Sequence, residues 1–254
     1  MIRPFLRSAV CLAALIASGT ALASGNQHPP KEVKWAFQGA TGTVDRQAAQ
    51  RGYQVYKEVC SSCHSLKRVA YRNLTELGFS EGEAKTLAAG ASVQDGPNDH
   101  GEMFERPGRL SDHFVGPYAN DQAARAANGG ALPPDLSLIV KAREDGPNYI
   151  YSILTGFEPA PADFKLGPNM HYNPYFPGMQ IAMPAPLSEG QVTYADGTKA
   201  TVEQMSHDVV TFLQWAAEPE MEERKSMGIK VFIYLGIFTV LFYLAKKRVW
   251  KDVE

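Results

Sequence analysis

The chain has 254 residues, of which 44% are hydrophobic and 20% are charged, with a formal net charge of −2. That length is enough for one large domain with a real core, and the lack of excess positive charge argues against a nucleic-acid-binding protein. Three cysteines are too few for the disulfide framework of a small secreted protein.

The N-terminal stretch has the features of a secretory signal peptide. Arg3 and Arg7 precede a short apolar run, and residues 21–23 have the A-x-A form of a signal-peptidase site. We expect residues 1–23 to be removed on export, although an uncleaved anchor or a mitochondrial presequence shares some of these features. The mature chain would then keep two cysteines.

A helix is predicted immediately before that cysteine pair, in the stretch TVDRQAAQRGYQVYKEVC. Thr43 or Asp45 can cap its start. Residues at helical spacing form one apolar face, namely Val44, Ala48, Gly52, Val55, Tyr56 and Val59. Because Gly52 has no side chain, a second helix can cross this face closely.

The motif Cys60-x-x-Cys63-His64 follows this helix, and three kinds of site use such a pattern. A structural zinc needs four ligands, usually from two separated pairs, and the sequence has no second pair. A redox disulfide would want a thioredoxin-like βαβ pattern, which is not visible here. Covalent haem c accounts for every residue, because two thiols attach to the haem and the adjacent histidine becomes the proximal iron ligand. Attachment after export also matches the signal peptide, so we predict one haem c.

The stretch 72–117 is rich in glycine and acidic residues, and we interpret it as a long surface insertion. Its carboxylates either help to dock a basic partner or simply form a solvated face. They are Glu81, Glu83, Asp95, Asp99, Glu102 and Glu105.

The segment LGPNMHYNPYFPGMQIAMPAPLSEG has a proline or glycine every few residues and is predicted to be an irregular loop. Its many apolar residues indicate that it wraps an apolar group. A methionine in the second axial position of a haem raises the potential and suits electron transfer. We favour Met183 as this ligand, because Pro184 stiffens the chain after it. Met179, Met170 and His171 remain alternatives.

A second amphipathic helix is predicted in TVEQMSHDVVTFLQWAAEP. Thr201 and Gln204 fit a capping box at its start, and Pro219 follows its end. Its apolar stripe consists of Val202, Met205, Val209, Phe212, Leu213 and Ala216. We expect this helix to cross the first one beside the haem motif.

The C-terminal region has the length and composition of a membrane span. Residues 227–245 are broken only by Lys230 and would extend roughly 28 Å as a helix, close to the hydrocarbon thickness of a bilayer. We predict an exported domain at 24–226, this single anchor, and a cytoplasmic tail at 246–254. Without the signal peptide and the tail, the chain has 19 basic and 25 acidic residues, a net charge of −6 that favours a basic partner.

Four stretches resemble the cytochrome c1 family: RGYQVYKEVCSSCHSL, AARAANGGALPPDLSLIVKAR, NPYFPGMQIAMPAPL and FLQWAAEPE. They stand in family order before one C-terminal span. The resemblance implies a mostly α fold, with a class I cytochrome c-like haem domain, long loop insertions and one C-terminal transmembrane helix.

The resemblance also implies a set of haem-binding residues. Cys60 and Cys63 would hold the haem, with His64 and Met183 as iron ligands. Arg125 falls where the family places an arginine near a haem propionate, which suits a bidentate cation, although an ordinary exposed helical arginine would look the same. Pro133 and Pro134 are expected to pack on the proximal histidine side.

As a family member, the chain would be an electron-transfer subunit of a respiratory or photosynthetic quinol–cytochrome c oxidoreductase (bc1) complex, with no substrate chemistry of its own. Its expected partners are cytochrome b, a Rieske iron–sulfur protein, a basic cytochrome c and the lipid membrane, in a dimeric complex. The expected location is a bacterial inner membrane, with the haem domain on the periplasmic side. The alternatives are a tethered cytochrome c carrier of another oxidase or dehydrogenase, and a haem c enzyme or gas sensor with an open sixth site.

Overall fold

The computed structural model describes residues 27–251, so the predicted signal peptide lies outside the described residues. The helices are α1 (Arg46–Glu58), α2 (Glu81–Ala89), α3 (Asp121–Ala127), α4 (Gly146–Leu154), α5 (Val202–Ala217) and α6 (Met221–Val249). Single 3₁₀ segments occur at Cys60–Ser62, Tyr71–Leu77 and Pro177–Met179. Two antiparallel pairs supply the strands: β1 (Ser92–Asp95) with β2 (Phe104–Pro107), and β3 (His171–Tyr172) with β4 (Gln180–Ile181). The predicted mostly α fold is confirmed.

Helices α1 and α5 cross at the centre of the domain, as their apolar faces predict. Asp45 caps α1, its carboxylate accepting a hydrogen bond from Ala48 N at 3.0 Å. Thr201 caps α5 in the same way, through Gln204 N at 3.1 Å. The predicted capping box is only half formed, because the Gln204 side chain donates to Asp208 instead. At the crossing, Gly52 is buried against the backbone of α5, with no room for a Cβ. The predicted crossing is therefore confirmed, and it fixes the end of α1 that leads into the haem motif.

Helix α5 is buried on almost every side, because other parts of the chain cover the faces that α1 leaves open. Helix α4 packs against it. The N-terminal segment also crosses it, where Trp35 stacks on His207 with ring centroids 4.8 Å apart. The Trp35 indole N–H donates to Asn148 Oδ1 at 2.8 Å, which ties this segment to α4. The predicted stripe of α5 is correct, but it describes only part of the buried surface.

The stretch 72–117 is more ordered than the predicted surface insertion. It contains a 3₁₀ helix, α2 and the β1–β2 hairpin, and five of its apolar side chains join the core: Leu74, Leu77, Ala84, Ala88 and Phe114. Phe114 packs on Tyr53 and Tyr56 of α1, with ring centroids 5.9 and 6.1 Å apart. This stretch therefore packs directly on α1 and is part of the core.

Helix α6 contains the predicted anchor and extends beyond it at both ends. It has 29 residues, and its most apolar window has a mean hydropathy of 2.0 with none of it buried. Within residues 27–251 it is the single helix long and apolar enough to cross a membrane. Its first turn belongs to the domain, since Met221 is buried and Lys225 Nζ donates to the carbonyls of Phe37 and Gly42 at 2.6 and 3.0 Å.

Candidate functional site

The cysteine motif forms one tight turn that continues directly from α1. Both Cys63 N and His64 N donate to the carbonyl oxygen of Cys60, at 3.1 and 2.8 Å. Residues three apart lie on the same side of a 3₁₀ turn, so Cys60 and Cys63 point toward a common side. Both are free thiols and both are half-buried.

The orientation of His64 is fixed by a contact across 70 residues of sequence. Its Nδ1 lies 2.8 Å from the carbonyl oxygen of Pro134. Because a carbonyl accepts and cannot donate, this contact places the ring proton on Nδ1 and leaves Nε2 with a free lone pair. A histidine that ligates a metal commonly has this second hydrogen bond, which fixes its tautomer and orientation. Pro134 thus contacts His64. The roles of His64 as proximal ligand and of Pro133 and Pro134 beside it stay predictions.

The ionisation of the motif also suits a cofactor ligand more than a redox dithiol. Burial lowers the pKa of His64, against the opposing effects of the Pro134 carbonyl and the Asp135 carboxylate, so the imidazole is neutral at neutral pH. Burial raises the pKa of Cys60 to about 12. Redox-active C-x-x-C motifs depend on a lowered thiol pKa, so Cys60 lacks the property that a thioredoxin-like reaction needs.

The methionine-rich segment is an irregular loop, as predicted, with the two-residue strands β3 and β4 and the short 3₁₀ turn Pro177–Met179 as its regular structure. The sulfur of Met179 lies 3.9 Å from the hydroxyl of Tyr172, and its backbone has a positive φ of 55°. Met170 and His171 line a surface cleft together with Phe157. Met183 is half-buried, and its sulfur accepts no hydrogen bond from residues 27–251. These contacts favour Met183 over Met179 as the axial ligand, which stays a prediction.

Arg125 lies on the exposed surface of the short helix α3. Its guanidinium Nη1 donates to the carbonyl of Gly130 at 3.1 Å, in the glycine turn that follows the helix. The side chain makes no ion pair with another residue in 27–251. It is therefore available for an anionic group, and its assignment to a propionate stays a prediction.

The donor set of the turn fits covalently attached haem c. Two free thiols stand on one side of a 3₁₀ turn, and a neutral, oriented imidazole follows them directly. In the part of the chain that the structure describes, no group of three or more His, Cys, Asp and Glu side chains converges, so a zinc site has no ligand set there. Cys60 and Cys63 would therefore hold the haem, with His64 as the proximal ligand.

One residue of the site was missed by reasoning from sequence. Asp135 follows Pro134 directly, and its carboxylate contacts the segment that carries His64. The only signal in the sequence is a carboxylate after two prolines, and nothing local indicates that this segment meets residues 64–68. The contact depends on the tertiary fold.

Comparison with known proteins gives one consistent result. The profile described as the Cytochrome C1 family matches residues 35–253. The cytochrome c1 of Rhodospirillum rubrum is 48% identical over 264 residues, covering 95% of this chain and 97% of that protein. A mitochondrial cytochrome c1 haem protein of Arabidopsis thaliana is 52% identical, over 94% of this chain and 77% of its own length.

A further relative is longer than this chain. The protein named cytochrome b/c1 of Bradyrhizobium diazoefficiens is 51% identical over 250 residues, which is 90% of this chain but only 36% of that protein. The chain thus spans about a third of this relative and nearly all of the Rhodospirillum protein. On the strength of the profile match and these identities, the chain belongs to the cytochrome c1 family, whose members carry one covalently attached haem c and serve electron transport.

Proposed function

We propose that this protein takes single electrons from a Rieske iron–sulfur protein and passes them to a cytochrome c, as a subunit of a bc1 complex beside cytochrome b. The observation that carries the proposal is the oriented, neutral His64 in a C-x-x-C-H turn, on a domain whose last helix continues into an apolar anchor. The haem supplies reversible one-electron iron chemistry when bound.

The residues of the chain have separate tasks in this function. Cys60 and Cys63 hold the cofactor covalently, so it is not lost during repeated turnover. His64 and Met183 would hold the haem iron, and a methionine ligand would exclude small ligands and raise the potential. Arg125 pairs with a propionate, and Pro133 packs on the proximal side together with Pro134.

The name of the Bradyrhizobium relative supports cytochrome b as a partner, because it joins cytochrome b and cytochrome c1 in one protein. In this chain the apolar helix α6 follows the haem domain, so association with cytochrome b would take place in the membrane. The domain 24–226 stands on the periplasmic side of a bacterial inner membrane, residues 227–245 cross it, and residues 246–254 remain in the cytoplasm. The complex is a dimer.

The basic partner is proposed from the acidic net charge of the exported domain. Some of its carboxylates already pair with cations of the same chain and are therefore poor candidates for attracting that partner. Glu81 pairs with Lys85 at 2.7 Å, and Asp95 pairs with Arg106, so both are already neutralised within the chain. Glu102, Glu105 and Asp99 are exposed on or beside the β1–β2 hairpin without a cationic partner among residues 27–251. They remain candidates for attracting a basic cytochrome c.

Purification of the complex tests the proposal. A tagged full chain, solubilised from its own membranes in mild detergent, should copurify with cytochrome b and a two-iron Rieske protein, and the preparation should reduce cytochrome c with quinol. Copurification with an oxidase instead would indicate a tethered carrier. Carbon monoxide binding by the native reduced protein would indicate an open sixth site.

Salt dependence tests the docking charge separately. If opposite charges steer the encounter, the second-order rate of cytochrome c reduction should fall steeply as ionic strength rises from about 10 to 200 mM, since screening shortens the range of the attraction. A rate independent of salt would contradict the proposed basic acceptor.

Protease added to intact spheroplasts should remove the haem domain, whereas a domain protected from it would contradict the periplasmic location.

A further inference from the structure

The carboxylate of Asp135 joins two segments that are far apart in sequence, at the point where His64 is oriented. Its Oδ2 accepts hydrogen bonds from Ser65 Oγ at 2.8 Å and from Lys67 N at 2.9 Å. Its Oδ1 accepts from Ser137 N at 2.9 Å. All three donors flank His64 or Asp135 itself, so the carboxylate lies inside the junction between the segments.

Two further hydrogen bonds close the same junction. Leu136 N donates to the carbonyl of Ser65 at 2.9 Å, and Arg68 N donates to Ser137 Oγ at 3.1 Å. These hydrogen bonds connect residues 64–68 with residues 134–137, at the positions that come after His64 and Pro134 in the chain. The His64–Pro134 contact is the first hydrogen bond between the two segments. The Asp135 carboxylate takes part in more of the hydrogen bonds at this junction than any other group.

The carboxylate is ionised in this position. Burial alone would raise the pKa of Asp135, but the hydrogen bonds from Lys67 N, Ser137 and Ser65 outweigh burial, and the pKa lies below its usual range. The negative charge of Asp135 therefore lies next to the Pro134 carbonyl, which accepts a hydrogen bond from the imidazole of His64. Hydrogen bonds to a charged acceptor are also stronger than neutral ones, which makes the junction stiffer.

We infer that Asp135 is a positioning residue that holds the Pro134 carbonyl on His64 Nδ1 and thereby lowers the reduction potential of the protein. A firm hydrogen bond on Nδ1 makes an imidazole a more basic ligand, and a basic ligand and a nearby negative charge both favour the oxidised, more positive iron. Both effects act in the same direction. The inference concerns the haem site alone and does not depend on the proposed electron donor or acceptor.

The test compares midpoint potentials and electron paramagnetic resonance (EPR) spectra of the full haem-loaded chain in detergent. Asp135→Asn removes the charge and weakens the acceptor with almost no change of volume. We expect a higher midpoint potential and altered g-values of the oxidised haem, because the ligand field of His64 changes. Asp99→Asn is the matched control, since it removes the same charge from an exposed loop and should change neither quantity.

Ser65→Ala tests the positioning of the Asp135 carboxylate separately from its charge. It removes one hydrogen bond and leaves the carboxylate ionised, so the potential should rise less than in Asp135→Asn, with a g-value change in the same sense. This variant also carries the test if Asp135→Asn fails to retain haem. The inference is overturned if Asp135→Asn keeps the native potential and g-values, if Asp99→Asn shifts the potential equally, or if Ser65→Ala leaves both quantities unchanged.

Discussion

The carbonyl oxygen of Asp208 lies only 2.0 Å from the position that a Cβ on Gly52 would occupy. The carbonyl carbon of Asp208 is 2.5 Å from the same point, and Phe212 Cβ is 2.8 Å from it. Two of these three atoms are backbone, which cannot rotate away as a side chain can. The absence of a side chain at Gly52 thus sets the distance between α1 and α5, and with it the place of the haem motif.

Gly52→Ala should destabilise the protein, although alanine is the better helix former by about 1 kcal/mol. The added methyl group forces the two helices apart, and overpacking of a core typically costs roughly 1–3 kcal/mol. Denaturant unfolding of the haem-loaded chain, followed by far-UV circular dichroism and Soret absorbance, measures the loss.

Gly82→Ala is the matched control for this change. Gly82 lies in the first turn of α2, where a Cβ would have only the Ser80 hydroxyl nearby, at 4.0 Å. Here the helix propensity of alanine acts without a clash, so the variant should be neutral or up to about 1 kcal/mol more stable. Equal loss in both variants would contradict the close crossing.

Asp208 and Arg51 form an ion pair beside the same crossing. Arg51 Nε and Nη2 donate to the two carboxylate oxygens at 2.8 and 3.0 Å, and the Asp208 side chain is fully buried. Asp208→Asn should reduce the free energy of unfolding, though by less than the roughly 3–5 kcal/mol of a fully buried broken pair, because Arg51 retains Asp196. Asp196→Asn, at the exposed partner, should have a far smaller effect.

The same pair predicts how stability depends on pH. Burial by itself raises the pKa of Asp208, but the neighbouring side chains of His207, Arg51 and Gln204 outweigh it and hold the pKa below its usual value. A carboxyl whose pKa is lowered by folding contributes stability above the unfolded pKa of about 4, and this stability is lost as pH falls through the folded value. The melting temperatures of the native protein and Asp208→Asn should be measured from pH 7 to pH 3. The difference between them should shrink as the pH falls below about 4. A constant difference would count against the pair.

How far the sequence predicts this structure depends on how local each determinant is. The caps Asp45 and Thr201 and the apolar faces of α1 and α5 are encoded within a few residues, so their prediction is confirmed. The loop around Met183 is equally visible, because its prolines and glycines exclude regular structure.

The parts that sequence reasoning missed depend on contacts between distant segments. The Asp135 junction joins residues about 70 positions apart, and no local pattern specifies it. The neighbouring His64–Pro134 contact was expected only from the family resemblance, because no local pattern specifies it either. The polar composition of the region around α2 predicts a surface insertion, whereas the structure has a helix and a hairpin there. One local signal was present, however, in the capping box of Ser80 and Glu83. The β1–β2 hairpin is harder to predict from the sequence, because it is held by the ion pairs of Arg106 with Asp95 and Asp112 and has no apolar face to indicate it.

The first turn of α6 connects the anchor to the domain, and this connection can be loosened. Glu222 accepts hydrogen bonds from Val44 N at 2.8 Å and from Arg46 Nη2 at 3.0 Å. Glu222→Ala should therefore increase hydrogen–deuterium exchange in residues 36–46 several-fold in detergent or nanodiscs, without changing the haem spectrum. Glu223→Ala, at an exposed neighbour on the same turn, should leave exchange there unchanged. Unchanged exchange in both variants would mean that the anchor is not held through Glu222.

The most direct test of the central claim is the optical spectrum and midpoint potential of the haem-loaded chain in three forms: native, Met183→Leu and Met179→Leu. If His64 and Met183 ligate the iron of an electron carrier, Met183→Leu alone should lose the long-wavelength band of methionine-ligated oxidised haem, show a lower potential and gain carbon monoxide binding in the reduced state. Met179→Leu should keep the native band, because the structure places its sulfur near Tyr172. Loss of the band in Met179→Leu, with Met183→Leu unchanged, would contradict the ligand assignment, and a native protein that lacks the band and binds carbon monoxide would contradict the electron-transfer account itself.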